Sequence, residues 1–185
     1  MRTTIQNGET MIERLEVRES VQSDAASIEN LYAAAFPDEE LRPVVRKLLR
    51  EGPTVLSLVG IVDKAVAGHA TFTTCSISGK SEKVSLLAPL AVAPAWQGQG
   101  VGSEIVAAGL QRLKDAGFTQ LYVLGDPAYY GRFGFVPDDV IAPPYPLPEA
   151  WREAWQSISL SGAKPPSQGK LCVPEPWRDP ALWAP

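Results

Sequence analysis

A near-continuous apolar run, VSLLAPLAV at residues 84–92, leads through a glycine-rich turn into the longest amphipathic stretch of the chain. A strand buried on both faces reads this way, because neither face needs to be polar. After Ala93-Pro94-Ala95-Trp96 come Gln97-Gly98-Gln99-Gly100-Val101-Gly102-Ser103. Val106, Leu110 and Leu113 then follow at helical spacing, with Lys114 in the last turn and Gly117 as the stop. The spacing predicts a helix over 100–116. A strand that feeds such a helix across a short turn points to a layered α/β fold, with helices packed on a sheet. Pro89 lies inside the strand and has no N–H. One ladder bond must be missing there, so a bulge or a splay is expected.

The remaining patterns agree with that class. Ile28, Leu31, Tyr32 and Ala35 have helical spacing behind Ser23-Asp24, an N-cap candidate, and the pattern stops at Pro37. Leu41, Val44, Val45 and Leu48 predict a second helix that ends near Gly52-Pro53, with Pro43 tolerated only in its first turn. Residues 54–62 and 65–77 are rich in β-branched residues and read as a hairpin across Asp63-Lys64. Residues 12–17 carry a short, imperfect strand signal. Residues 119–124 read as a strand and 127–133 as a short helix with proline in its first turn. The predicted order is β-α-α-β-β-β-α-β-α-β. Residues 1–10 are polar and patternless and read as a flexible tail. Residues 11–185 read as one domain, in keeping with the chain length.

The composition shifts after Val136. Eleven of the 17 prolines and four of the five tryptophans lie within 137–185. This segment reads as a wrap that lays aromatics over the domain, with one short strand at 170–173. Trp151, Trp155, Trp177 and Trp183 are expected to cover core, with lining of an acceptor pocket or of a homodimer contact as the alternative.

Charge and cysteine content exclude several function classes. The formal charge is −4, and no Lys/Arg cluster offers the stripe that a nucleic-acid backbone needs. The single histidine, His69, argues against a His-rich metal site, and Cys75 and Cys172 lie too far apart for a local metal knuckle, so no metal is expected. Both cysteines read as small buried hydrophobes. No apolar stretch approaches the ~18 residues of a bilayer span, and residues 1–14 show no signal-peptide core. A cytoplasmic protein without a membrane partner is the expectation.

Chemistry concentrates in the glycine-rich turn. Backbone N–H groups that converge before a helix N-terminus, with the positive end of the helix dipole behind them, suit an anion such as a pyrophosphate. Two familiar nucleotide loops do not fit. Gly98 and Gly100 match the start of G-x-G-x-x-G, but Ser103 takes the third glycine's place, and no Gly-Lys-Ser/Thr follows. A bare tight turn is the bland alternative, but three alternating glycines exceed what a turn requires.

Gln97-Gly98-Gln99-Gly100-Val101-Gly102 fits Q/R-x-x-G-x-G/A and follows Val92-Ala93-Pro94. It resembles the acetyl-CoA pyrophosphate loop of the GNAT superfamily of N-acetyltransferases. Downstream, Tyr130-Gly131-Arg132-Phe133-Gly134-Phe135 resembles the superfamily's Y-x-x-x-G-F element. The longer string from Gly125-Asp126-Pro127-Ala128-Tyr129-Tyr130 through Phe135 is similar to a bacterial subgroup of these enzymes. The resemblance covers about residues 12 to 137. It implies a mixed, mostly antiparallel central sheet with a splayed strand pair and helices on both faces, with acetyl-CoA as co-substrate. By the same likeness Leu90, Ala91 and Val92 offer backbone groups to the pantetheine and acetyl end, and Gln97, Gly98, Gln99, Gly100, Val101, Gly102 and Ser103 form the cofactor loop. Tyr130 stands at the general-acid position, where a phenol with a pKa near ~10 donates to the departing thiolate.

The implied activity is acetyl transfer to a primary amine of a small molecule or peptide by direct attack. The strand before the loop carries Ser85-Leu86-Leu87 where some members have a glutamate base. His69, Glu82 or a water chain are the candidates for that task. His69 lies in an apolar strand and reads first as a structural histidine. The missing glutamate also motivates a non-catalytic acyl-CoA-binding module, and an acyltransferase for a different acyl group is the third reading.

Overall fold

The computed structural model describes residues 4–6, 9–11, 14–162 and 165–184. Two short strands, β1 (Thr4–Gln6) and β2 (Glu9–Met11), pair antiparallel within the stretch read as a polar tail. The other tail residues, with Ile12 and Glu13 of the first strand signal, lie outside the described residues. The chain forms two compact units, Met1–Thr71 with Pro89–Gly109, and Phe72–Ala88 with Leu110–Pro185. Two strands, β5 (Ala65–Ile77) and β6 (Val84–Val92), contribute residues to both.

In the first unit β3 (Glu16–Glu19) pairs antiparallel with β4 (Val55–Val62), placing Val17 opposite Gly60. The turn from β4 to β5 is tight: Asp63 and Lys64 both have positive φ, 48° and 68°, the geometry of a two-residue hairpin loop. Successive residues of β5 point to opposite faces. On one face a Cβ at Gly68 would sit 2.8 Å from both Val101 Cγ1 and Ile105 Cδ1, so the missing side chain lets α3 (Val101–Asp115) lie close to the strand. On the other face His69 meets Tyr32 of α1 (Ala25–Ala35). Helices therefore cover both faces of this part of the sheet. Burial of Ile28, Leu31, Tyr32, Val44, Val45 and Leu48 seats α1 and α2 (Arg42–Arg50). Pro43 falls within the first turn of α2, as expected.

Asp24 does not cap α1. It is already helical (φ −80°, ψ −15°) and its side chain turns back. Both carboxylate oxygens accept from Arg18, at 2.8 and 3.0 Å, and one also accepts from the Val21 N–H at 2.8 Å. A long-reach guanidinium outcompetes the local cap, a partner that helix-start rules cannot see. The Arg18 hydrogen bonds hold the Asp24 carboxyl below the usual range.

In the second unit β6 runs parallel to β7 (Gln120–Leu124), with pairs from Val84↔Gln120 to Leu86↔Tyr122. The register goes no further, and Ala88, Pro89 and Leu90 are only half-buried although they lie within the strand. The described ladder therefore ends before Pro89, which has no N–H to donate. β10 (Trp155–Ser159) pairs antiparallel with β7 and carries β8 (Val136–Pro137) on its other edge. β11 (Gly169–Cys172) joins β5 antiparallel, and β9 (Ile141–Ala142) lies parallel to β11. The sheet is mixed and mostly antiparallel.

Thus 137–185 is more than a wrap. β10 is central to this unit, but its sequence, WQSIS, has two serines and little apolar weight, which hides it. Its core is aromatic. Trp155 stacks on Tyr122 at 5.5 Å, and the indoles of Trp155, Trp177 and Trp183 donate to Ile141 O, Thr73 Oγ1 and Trp177 O. Each apolar ring is buried with its N–H satisfied, so these tryptophans do cover core. Cys75 is buried, and burial pushes its thiol up to about 12. Cys172 is exposed, against expectation, because its strand lies at a border where every second residue faces solvent.

Candidate active site

The glycine-rich turn is built from strand end to helix start. The Ala93 N–H donates to Ala67 O at 2.8 Å, which ties the end of β6 to β5. Residues Pro94–Trp96 form one 3-10 turn, closed by Trp96 N–H donating to Ala93 O at 2.8 Å. The two glutamines then brace the loop with their side chains. Gln97 Nε2 donates to Val92 O at 3.0 Å, and Gln99 Nε2 donates to Ala95 O at 2.9 Å. Gly98 and Gly100 have φ of 70° and 89°, a region that costs other residues about 1–2 kcal/mol. Their Cβ positions meet no heavy atom within 4 Å. The glycines therefore serve backbone geometry and close approach from outside rather than internal packing.

The first intrahelical bond of α3 runs from Glu104 N–H to Gly100 O at 3.0 Å. The N–H groups of Val101, Gly102 and Ser103 precede it, so the helix has no carbonyl for them. Open approach, positive-φ glycines and first-turn amides fit a diphosphate. Leu90, Ala91 and Val92 form the last residues of β6, directly before this loop.

Tyr130 is set by its own local chemistry. Asp126 caps α4 (Pro127–Tyr130), its Oδ1 accepting from the Ala128 N–H at 2.8 Å, and Pro127 opens the helix as expected. A Cβ at Gly125 would stand 2.4 Å from Tyr130 Cε2, so only glycine lets the ring lie on the chain there. Gly134 is left-handed (φ 95°) and turns the chain so that Phe135 packs on Tyr130 at 5.7 Å. Tyr129 meets Tyr130 edge-on at 4.9 Å. The half-buried phenol has its pKa raised above the ordinary value by burial and then by Tyr129, which keeps the proton on the oxygen at neutral pH. Arg132 stacks over the Tyr129 ring at 4.0 Å.

The family can now be decided. A model of the acetyltransferase (GNAT) family matches residues 25–135. The chain belongs to the GNAT family. Among GNAT relatives, the uncharacterized N-acetyltransferase YjhQ of Escherichia coli K12 is 32% identical over 168 residues, 87% of this chain and 93% of that protein. The crystal structure of the GNAT protein YhbS from Escherichia coli in complex with CoA superposes with a TM-score of 0.79 at 28% identity, covering 90% of this chain and 93% of that one. A GNAT acetyltransferase from Brucella melitensis in complex with acetyl-CoA gives a TM-score of 0.72 at 28% identity, covering 90% and 99%.

The base candidates fare unequally. His69 has no solvent exposure, and burial pushes its imidazole down to about 3. Both ring nitrogens are engaged, Nδ1 with Tyr32 Oη at 2.9 Å and Nε2 with Ser57 Oγ at 2.8 Å. Glu82 precedes β6, at the end of the strand opposite Leu90–Val92. Ser85, in the region where some members carry a glutamate, donates its hydroxyl proton to Thr73 O at 3.0 Å.

The sequence gives no hint of two supporting groups. Gln156, almost fully buried on β10, donates from Nε2 to Gly125 O at 3.0 Å and so backs the turn under Tyr130. Tyr32 on α1 and Ser57 on β4 partner His69 on β5, and only the folded arrangement reveals it. Among the described residues no cluster of three His, Cys, Asp or Glu suits a metal, and no helix is long and apolar enough to cross a membrane.

Proposed function

We propose that this GNAT protein is an acetyl-CoA-dependent N-acetyltransferase that acts on a primary amine of a small molecule or peptide. The observation that carries the reading is the turn at Gly98–Ser103, where a Cβ at either positive-φ glycine would meet open space and the first-turn amides precede the first helical hydrogen bond. They hold the diphosphate of CoA, and Gln97 and Gln99 keep the loop in shape by bonding its own carbonyls. The released edge of β6 at Leu90, Ala91 and Val92 takes the pantetheine and thioester, and a backbone N–H near Val92 polarises the acetyl carbonyl. The neutral amine attacks that carbonyl carbon. The carbon–sulfur bond breaks, the sulfur leaves as thiolate, and Tyr130 gives it a proton. The buried, engaged imidazole of His69 and the position of Glu82 at the far end of β6 argue against both as the base, so the ammonium form loses its proton to water before attack, and the proton shed by the nitrogen as the amide forms restores the Tyr130 phenol.

Thiol release from acetyl-CoA, followed over a panel of small amines and N-terminal peptides, tests this. At least one amine is expected to accelerate release well above the rate without acceptor. Tight CoA binding with no acceleration by any amine would favour the non-catalytic acyl-CoA-binding module. Acceleration only with a longer acyl-CoA would favour a different acyl donor.

A further inference from the structure

Five groups of the first unit form a continuous hydrogen-bond chain from a part-buried site to Pro89 of β6. Ser20 Oγ lies 2.6 Å from Ser57 Oγ, and Ser57 Oγ lies 2.8 Å from His69 Nε2. His69 Nδ1 lies 2.9 Å from Tyr32 Oη, and Tyr32 Oη lies 3.2 Å from the carbonyl oxygen of Pro89. None of these links belongs to the acid, the cofactor loop or the strand edge already assigned.

The chain acquires a direction from its last member, because a carbonyl can only accept. With Pro89 O at 3.2 Å, nearer than His69 O at 3.5 Å, as the acceptor of the Tyr32 proton, the phenol oxygen is left to accept from His69. His69 then carries its proton on Nδ1, and Nε2 accepts from Ser57. Ser57 accepts in turn from Ser20. Every group is satisfied in this arrangement, as burial demands. This direction belongs to a neutral imidazole, since a protonated ring would donate from Nε2 as well and reverse the Ser57–Ser20 link. The low basicity that burial imposes on His69 agrees with this.

We propose that Tyr32 and His69 are positioning residues for the thioester arm: through this chain they pin the Pro89 carbonyl and so fix the backbone of Leu90, Ala91 and Val92. The proposal rests on the cofactor reading above. The strand needs such a pin because Pro89 supplies no N–H of its own and the described β6–β7 register has already ended at Leu86. Once the carbonyl is released, the edge that meets pantetheine loses its tie at the Pro89 end, while the ties at its other end, Gln97 to Val92 O and Ala93 N–H to Ala67 O, and the loop's brace from Gln99 remain.

Two measurements on the full chain test it. His69 is the only histidine, so 15N NMR of its imidazole at neutral pH reads the tautomer without ambiguity. The Nδ1–H form is expected; the Nε2–H form or an imidazolium would overturn the chain's direction and the proposal. Calorimetry then compares Tyr32→Phe with wild type, using CoA and adenosine 3′,5′-bisphosphate, which lacks the pantetheine arm. The variant is expected to bind CoA about tenfold more weakly, the scale of one lost hydrogen bond, and to bind the nucleotide unchanged. Equal losses for both ligands would mean a general structural defect and overturn the proposal, as would unchanged CoA affinity. If wild-type protein binds the nucleotide but not CoA, the positioning role fails. If it binds neither, the cofactor reading itself fails, and the imidazole spectrum still decides the chain's direction.

Discussion

Replacing Tyr130 with phenylalanine is expected to lower kcat by about 100-fold or more, the range that a positioned general acid supplies, while CoA affinity changes by less than about twofold. The reason is local. The ring is clamped between Gly125, Tyr129 and Phe135, and phenylalanine keeps all of these contacts. Only the hydroxyl disappears, so folding and cofactor binding stay intact and proton delivery to the thiolate does not. Burial and the neighbouring Tyr129 raise the phenol's pKa, so the acid form prevails across neutral pH. Gly125→Ala provides the converse case. Its methyl group would collide with Tyr130 Cε2 at 2.4 Å and push an intact phenol out of place, with a similar loss of kcat. Steady-state kinetics on the best acceptor from the amine panel measures both. An unaltered kcat in Tyr130→Phe would exclude the acid role.

The second large effect concerns stability. His69 ionises near 6.5 when unfolded and at about 3 when folded, because burial penalises its charged form and the attraction of Asp24 only partly opposes this. Below pH 6.5 the unfolded chain binds a proton that the native protein refuses. The stabilising contribution is therefore complete above about pH 6.5 and is lost progressively as pH falls toward 3. The slope approaches about 1.4 kcal/mol per pH unit. Between pH 6.5 and 4.5 wild type should lose about 2 kcal/mol more than His69→Gln, which carries no titrating group. Asp24, whose carboxyl is held low by Arg18, adds its own loss mainly as pH falls through its unfolded value of 3.8, below most of that window. Urea unfolding of both proteins at several pH values checks this, and parallel pH profiles would refute it.

The sequence made the glycine turn and its helix legible because their residues are neighbours: the strand, the loop and the first helical turn follow one another along the chain. The same holds for Tyr130, whose glycines and proline lie within ten residues of it. The helices of the first unit and the β4–β5 hairpin were also legible, from periodicity and a two-residue turn. The Asp63-Lys64 turn succeeds without glycine, with both residues accepting positive φ. What was hidden depends on distance. β10 has weak strand character and exists because β7 and β8 pair with its two edges. Asp24 resembles a cap until Arg18 claims it. His69 resembles a lone polar residue in an apolar strand until Tyr32 and Ser57, each far from it in sequence, satisfy both nitrogens. Arg132 finds an aromatic face on its own turn of chain.

The central claim is that the amides of Gly98 to Ser103 receive the diphosphate of CoA. Titration of 15N-labelled protein with CoA, repeated on Gly100→Glu, tests it most directly. The resonances of Gly98 through Ser103 should move together on saturation. In the variant, where a carboxylate and a strained φ occupy the loop, affinity should fall at least about tenfold. Resonances that stay fixed while CoA binds, or a variant that binds CoA as tightly as wild type, would contradict it.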